Sequence, residues 1–194
     1  AYRDFMWLLG CAVAYQGGVA VTIALAAIYA EQVIGFVQQE TMVLIFVLNI
    51  AAAVGAFAFG HWQDRIGHKR ALSVTLLGWV TTCVIAALTT TKGGFWYAAA
   101  IAGLCMGSSQ SAGRALAGLF APAAQLAEFY GLWTFATRLA SIIGPLTYGL
   151  IAWGTGGNQR LAIASTAVLF VAGWLLLQRV DVERGRRAAL AAEA

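Results

Sequence analysis

Six long apolar stretches, separated by short polar intervals, run the length of this chain. A helix needs about 20 predominantly apolar residues to cross a bilayer. On that criterion spans fall at residues 5–30, 41–62, 70–89, 95–116, 129–153 and 161–178. The expected fold is an all-α, polytopic membrane protein, with a six-helix transmembrane bundle over residues 1–180 and a cytoplasmic tail over 181–194. Polar content separates the spans. The third and sixth hold no ionisable residue in their interiors and are expected to face lipid all round, whereas the first, second, fourth and fifth carry interior polar groups and glycines. One lipid-facing helix would then close each half of the bundle, which suggests two inverted three-helix repeats, about 1–91 and 92–180.

Composition agrees with this frame. Of 194 residues, 61% are hydrophobic and 10% charged, against about 25% charged in a soluble domain. The net charge of +4 is not gathered into one arm or face but sits in the breaks between apolar runs, so topology explains it better than nucleic acid does. With the amino terminus inside, the cytoplasmic side takes Arg3, Arg65, Lys69, Arg70, Arg114, Arg179, Arg184, Arg186 and Arg187, and the outer side only Lys92 and Arg160. That is the excess expected of cytoplasmic loops, and it puts both termini inside. Trp7, Trp62 and Tyr130 fall at the inner boundary and Trp96, Tyr97 and Trp153 at the outer, where amphipathic rings belong. Trp79 and Trp174 lie deeper, as packing or lipid-facing residues. Cys11, Cys83 and Cys105 all lie inside apolar runs, which argues against disulfides and thiolate metal sites. No nucleophile with an adjacent base, no metal-ligand spacing and no phosphate-cradling glycine loop occurs, so neither an enzyme, a metal nor a cofactor is expected.

The densest charge lies between the second and third spans, from Gly60 to Leu72, and reads as a tight cytoplasmic loop. Gly60, Asp64, Arg65, Gly67 and Lys69 there match G-x-x-x-D-R-x-G-R-K-x, the signature between the second and third helices of each half in the major facilitator superfamily; His68 replaces the usual arginine. Gln110-Ser111-Ala112-Gly113-Arg114, Ala127-Glu128-Phe129-Tyr130-Gly131-Leu132, Gly144-Pro145-Leu146 and the closing Val180-Asp181-Val182-Glu183-Arg184-Gly185 are similar to the carboxy-terminal half of one branch, the vacuolar amino-acid effluxers linked to autophagy and their bacterial relatives. The resemblance covers nearly the whole chain. It implies half of a major-facilitator bundle in a membrane such as the bacterial inner membrane, needing a complementary six-helix half that is fused, a separate chain or a second copy. Where the branch typically reads Y-N-D-G-V-Q, this chain has Tyr15-Gln16-Gly17-Gly18-Val19-Ala20, so two polar anchors of the path are absent at Gly17 and Ala20.

Several residues are candidates for chemistry. Arg138 lies about ten residues into the fifth span, near the midplane at about 1.5 Å per residue, where an unpaired guanidinium costs about 2.5–3.5 kcal/mol on insertion scales. It either meets a substrate carboxylate or an acid of the other half, or is bonded to backbone carbonyls. Gln16 and Asn49 line the path or make interhelical hydrogen bonds. Gln110, toward the cytoplasmic end of the fourth span, lines the path or bonds the inner loops, and Arg114 beside it is a snorkelling anchor or a substrate contact. Gly60, Asp64, Arg65, Gly67, Lys69 and Arg70 form a gating element, Asp64 being suited to a helix amino terminus, or else a topology signal. Gly103 and Gly107 allow close helix contact. Gly144 with Pro145 bends the fifth span as a hinge or a static kink. The functional expectation is half of a secondary transporter that moves small organic, amino-acid-like solutes by alternating access. The alternative is a non-transporting subunit that serves as a scaffold in a larger membrane complex.

Overall fold

The apolar runs become helices because a chain in hydrocarbon must satisfy its backbone internally. The computed structural model describes residues 2–192, and the elements in order are α1 (Arg3–Tyr29), a π turn (Ala30–Ile34), α2 (Gln38–Ile66), α3 (His68–Leu88), α4 (Lys92–Leu119), a short 3-10 turn (Ala123–Gln125), α5 (Leu126–Gly154), α6 (Gln159–Gln178) and α7 (Val182–Ala191). Five of the six long helices are both long and apolar enough to cross a membrane. The exception is α4, whose 28 residues reach about 42 Å but include Ser108, Ser109, Gln110, Ser111 and Arg114. Apart from the exposed Arg114, its small and polar residues are spent largely on contacts inside the bundle.

The stretch Gly60–Leu72 is not a loop. All of it is helical except Gly67, which alone turns the chain from α2 into α3 with φ 89° and ψ 144°. A side chain is strained in that conformation, so glycine is required there. Gly60, Asp64 and Arg65 therefore ride the last two turns of α2, and Lys69 and Arg70 the first turn of α3. Charges at a membrane boundary need no loop to reach water, since a helix surface presents them equally well.

Packing sorts the helices into two close pairs astride a central pair. α1 lies along α5 and α2 along α4; α3 and α6 pack on each other, α3 also touching α4 and α6 touching α1. Both close pairs cross on small residues. Methyl groups at Gly103 or Gly107 would collide with the α2 backbone at Leu48 and Ala52, and one at Gly55 with Leu104; a methyl at Gly144 would collide with the backbone of Gly17. Close approach of this kind replaces the hydrophobic drive that lipid removes. Gly17 is thus buried in the α1–α5 crossing, and Gly144 is a contact point in an α5 that runs unbroken through Pro145.

The expectation that the third and sixth spans face lipid all round is corrected by this arrangement. α3 buries Leu72, Leu76, Trp79 and Cys83, and α6 buries Ile163, Phe170 and Leu177. The Trp79 and Phe170 rings stack at 5.0 Å with 4° between their planes, and Trp174 Nε1 donates to Ser73 Oγ at 2.7 Å. Apolar side chains that face a neighbouring helix and those that face lipid are chemically alike, so polarity alone could not separate them. The outward apolar surface is richest on α2 and α5, at Phe46, Phe57, Phe135 and Leu150.

The seam between α3 and α6 is tied at both tips. Lys69 Nζ donates to the carbonyls of Gln178 (3.3 Å) and Val180 (2.7 Å) at the end of α6; Arg160 Nη1 donates to those of Ala87 (3.0 Å) and Thr89 (2.5 Å) at the end of α3. Each cation is the second residue of its own helix. Each satisfies carbonyls that a helix end leaves without intrahelical donors and sits where the macrodipole is negative.

One end of the bundle gathers Arg3, Arg65, Lys69, Arg70, Arg114, Arg179 and α7; the opposite end holds Lys92, in a 2.6 Å ion pair with Glu40, and Arg160. The segment 181–192 is not a free tail. Asp181 Oδ1 accepts from Arg184 N at 2.9 Å and caps α7, and α7 packs on α1 and α4. Beyond the membrane spans, hydrogen bonding to the Asp4 carboxylate pushes the Arg184 guanidinium above its ordinary pKa.

Candidate functional site

A polar groove runs between α1, α4 and α5. Gln16, Gln110, Arg114, Tyr130, Thr134, Thr137, Arg138 and Ser141 line it over a Trp133 floor, and it offers about 460 Å³. Helical spacing places these residues: Thr134, Arg138 and Ser141 recur at intervals of four and three on α5, as Gln110 and Arg114 do on α4, so each set shares one face. The inward face of α5 buries Ala136, Ala140 and Gly144, with Trp133 at its edge as the groove floor.

The amides of Gln16 and Gln110 bond to each other twice, Gln16 Nε2 to Gln110 Oε1 at 3.0 Å and Gln110 Nε2 to Gln16 Oε1 at 2.9 Å. Gln16 Nε2 also reaches the buried Tyr15 hydroxyl at 3.4 Å. The threonine and serine hydroxyls of α5 donate back to their own helix, Thr134 to Tyr130 O and Ser141 to Arg138 O. That leaves their lone pairs free to accept from a ligand. Arg138 is exposed in the groove, and its guanidinium has no hydrogen bond or ion pair among the described residues. The Arg114 side chain is also exposed; its backbone carbonyl accepts from Tyr130 OH at 3.4 Å. The groove thus presents two guanidiniums, a self-satisfied amide pair and a row of hydroxyls, an array suited to an anionic or zwitterionic solute.

Of the expected path residues, the structure brings Gln16, Gln110 and Arg138 together but not Asn49. Asn49 is exposed on α2, donates from Nδ2 to Ile45 O at 2.8 Å, and lies beside Thr22, Ala26 and Met106 in a separate depression. Asp64, Arg65 and Arg70 are exposed and make no hydrogen bond or ion pair among the described residues; a methyl at Gly60 would meet nothing. Lys69 differs, being committed to the end of α6. Gln63 was not singled out in the sequence. It is buried, donates to Ser111 Oγ at 3.2 Å and leaves Oε1 unpaired. Nor was Asp4, the acid that Arg184 grips in a bidentate pair at 2.7 Å. A separation of 180 residues offered no local signal for that pairing.

A family model described as vacuole effluxer Atg22 like matches residues 1–190. A Bacillus subtilis (strain 168) protein named uncharacterized MFS-type transporter YxiO is 28% identical over 182 residues, covering 94% of this chain and 42% of that protein. Autophagy-related protein 22 of Cryptococcus neoformans var. neoformans serotype D (strain B-3501A) is 29% identical over 189 residues, covering 89% of this chain and 34% of the relative. This chain therefore spans less than half the length of either relative. It belongs to the vacuole effluxer Atg22-like family, the major-facilitator branch that its α2–α3 motif and closing segments resemble.

Proposed function

We propose that this chain is a six-helix half of a secondary transporter, which moves small organic, amino-acid-like solutes by alternating access against a complementary half. The groove between α1, α4 and α5 is its share of the path. The observation that carries the reading is Arg138, a guanidinium midway along a long apolar helix with no acceptor among the described residues. Such a charge is costly in the membrane unless it meets water, a substrate or a partner's acid. The family description, a vacuole effluxer, and the name of one matched relative, an MFS-type transporter, favour transport.

Two inverted triplets, α1–α3 and α4–α6, fit the same reading. Exchanging α1 with α4, α2 with α5 and α3 with α6 carries the α1–α5 pairing onto α4–α2, the α1–α6 contact onto α4–α3 and the Lys69 clamp onto the Arg160 clamp. The basic end would face the cytoplasm, with both termini. Asp64, Arg65 and Arg70 would then gate that side by docking on a helix of the other half.

The test is solute flux in proteoliposomes that contain this half with its complement. Arg138→Ala abolishes flux while insertion and assembly persist, and Arg138→Lys retains part of it, since a point charge replaces the planar fork. Flux unchanged in Arg138→Ala overturns the assignment. An assembly that carries no solute even with Arg138 intact would make the bundle a scaffold instead.

A further inference from the structure

α1 and α4 border the groove on either side, yet they touch each other little. α1 is held firmly by α5 and α6, and α4 by α2 and α3. Within the groove the Gln16–Gln110 amide pair is the direct polar link between them. At the basic end α7 spans both. Its Arg184 grips Asp4 in the first turn of α1, Nε to Oδ2 and Nη2 to Oδ1, each at 2.7 Å, while the Asp181 N–H donates to Asp4 Oδ1 at 2.8 Å. Its Gly185 lies against the Phe120 ring at the end of α4, where a methyl group would collide.

We propose that α7 is a releasable buckle that sets the separation of α1 and α4 at the basic end, and with it the width of the groove mouth. Four features suit it to that task. Asp4 is buried at 3% exposure, so its carboxylate depends on the three bonds it accepts from Arg184 and Asp181. The Arg184 side chain is 50% exposed, so water reaches the pair from one side and release does not strand the cation in apolar surroundings. Asp181 caps α7 through the Arg184 N–H, so the helix stays formed with the arginine presented. The Phe120 contact admits only a residue without a side chain at position 185 and fixes which face of α7 meets α4. Undoing the ion pair leaves α1 only the Asp181 N–H bond and packing against the α7 segment, while α4 keeps its contact, and the two walls of the groove loosen at that end.

The separation can be read without transport. Spin labels at Met6→Cys on α1 and Arg114→Cys on α4, both exposed positions, report it by pulsed electron resonance on the assembled protein in lipid, with the three buried native cysteines left in place. The intact buckle gives one narrow distance distribution. Asp4→Asn and Arg184→Gln each shift and broaden it by several ångströms, and the exchange of Asp4→Arg with Arg184→Asp narrows it again. A distribution unchanged in both single variants overturns the proposal. So does an exchange that stays as broad as the singles, since the ion pair would then not be what holds the walls. Loss of flux in Arg138→Ala moves none of these distances, so this test and that of the transporter reading fail independently.

Discussion

The α3–α6 seam and the α1–α4–α5 groove are opposite solutions to one problem, how helices meet where there is little water. The seam is complete. Its rings stack, its one indole-to-serine bond is short, and both tips are capped by cations. The groove is incomplete: Arg138 and Arg114 have no side-chain acceptor among the described residues, and the threonine and serine hydroxyls of α5 that line it hold only their own backbone. Polar groups in a membrane are kept where they serve a ligand or a partner. A finished seam beside an unfinished groove therefore marks which surface the chain reserves for something else.

Substitutions sharpen that contrast through stability measured by unfolding of the detergent-solubilised protein. Trp79→Ala opens a cavity in the seam and costs about 3–5 kcal/mol, the usual range for deleting a buried aromatic; a loss under about 1 kcal/mol would mean the seam collapses around it. Lys69→Ala and Arg160→Ala each cost about 1 kcal/mol, less than a fully buried charge-assisted bond because both side chains are partly exposed. Sitting at opposite tips, they should add within about 0.5 kcal/mol, and a strong departure from additivity would show the tips to be coupled. Gln16→Met removes the amide pair for about 1 kcal/mol or less, since Gln110 can turn to water in the groove. Arg138→Ala changes stability by no more than about 0.5 kcal/mol. For solute flux the order inverts, with Arg138→Ala the most damaging and the clamp variants the least.

How much of this could be read from the sequence depended on the length scale of the signal. The number and approximate bounds of the six long helices were legible, though not α7, because about 20 apolar residues in a row suit a membrane-crossing helix and little else. The Gly103 and Gly107 contact was legible too, since spacing by four puts both on one face. Gly17 and Gly144 were harder. The first read as a missing acid and the second as half of a hinge, and only the folded chain shows them meeting each other. The Gly60–Leu72 charges read as a loop because charge density stands for water exposure, and a helix end at the membrane boundary supplies the same exposure. For the groove, Gln16, Gln110 and Arg138 announced themselves as polar groups in apolar runs. Asn49 did so equally, and the helix rotation that puts it in a separate depression beside Thr22, Ala26 and Met106, and not in the groove, is not fixed by one polar residue.

The paired clamps of Lys69 and Arg160 have a mechanical consequence. Because each cation holds the last carbonyls of the opposite helix, sliding α3 along α6 by a single residue, about 1.5 Å, would tear both attachments at once. Axial slip is therefore opposed at both ends of the seam. The central pair thus behaves as a rod pinned at its ends, of fixed length within the bundle.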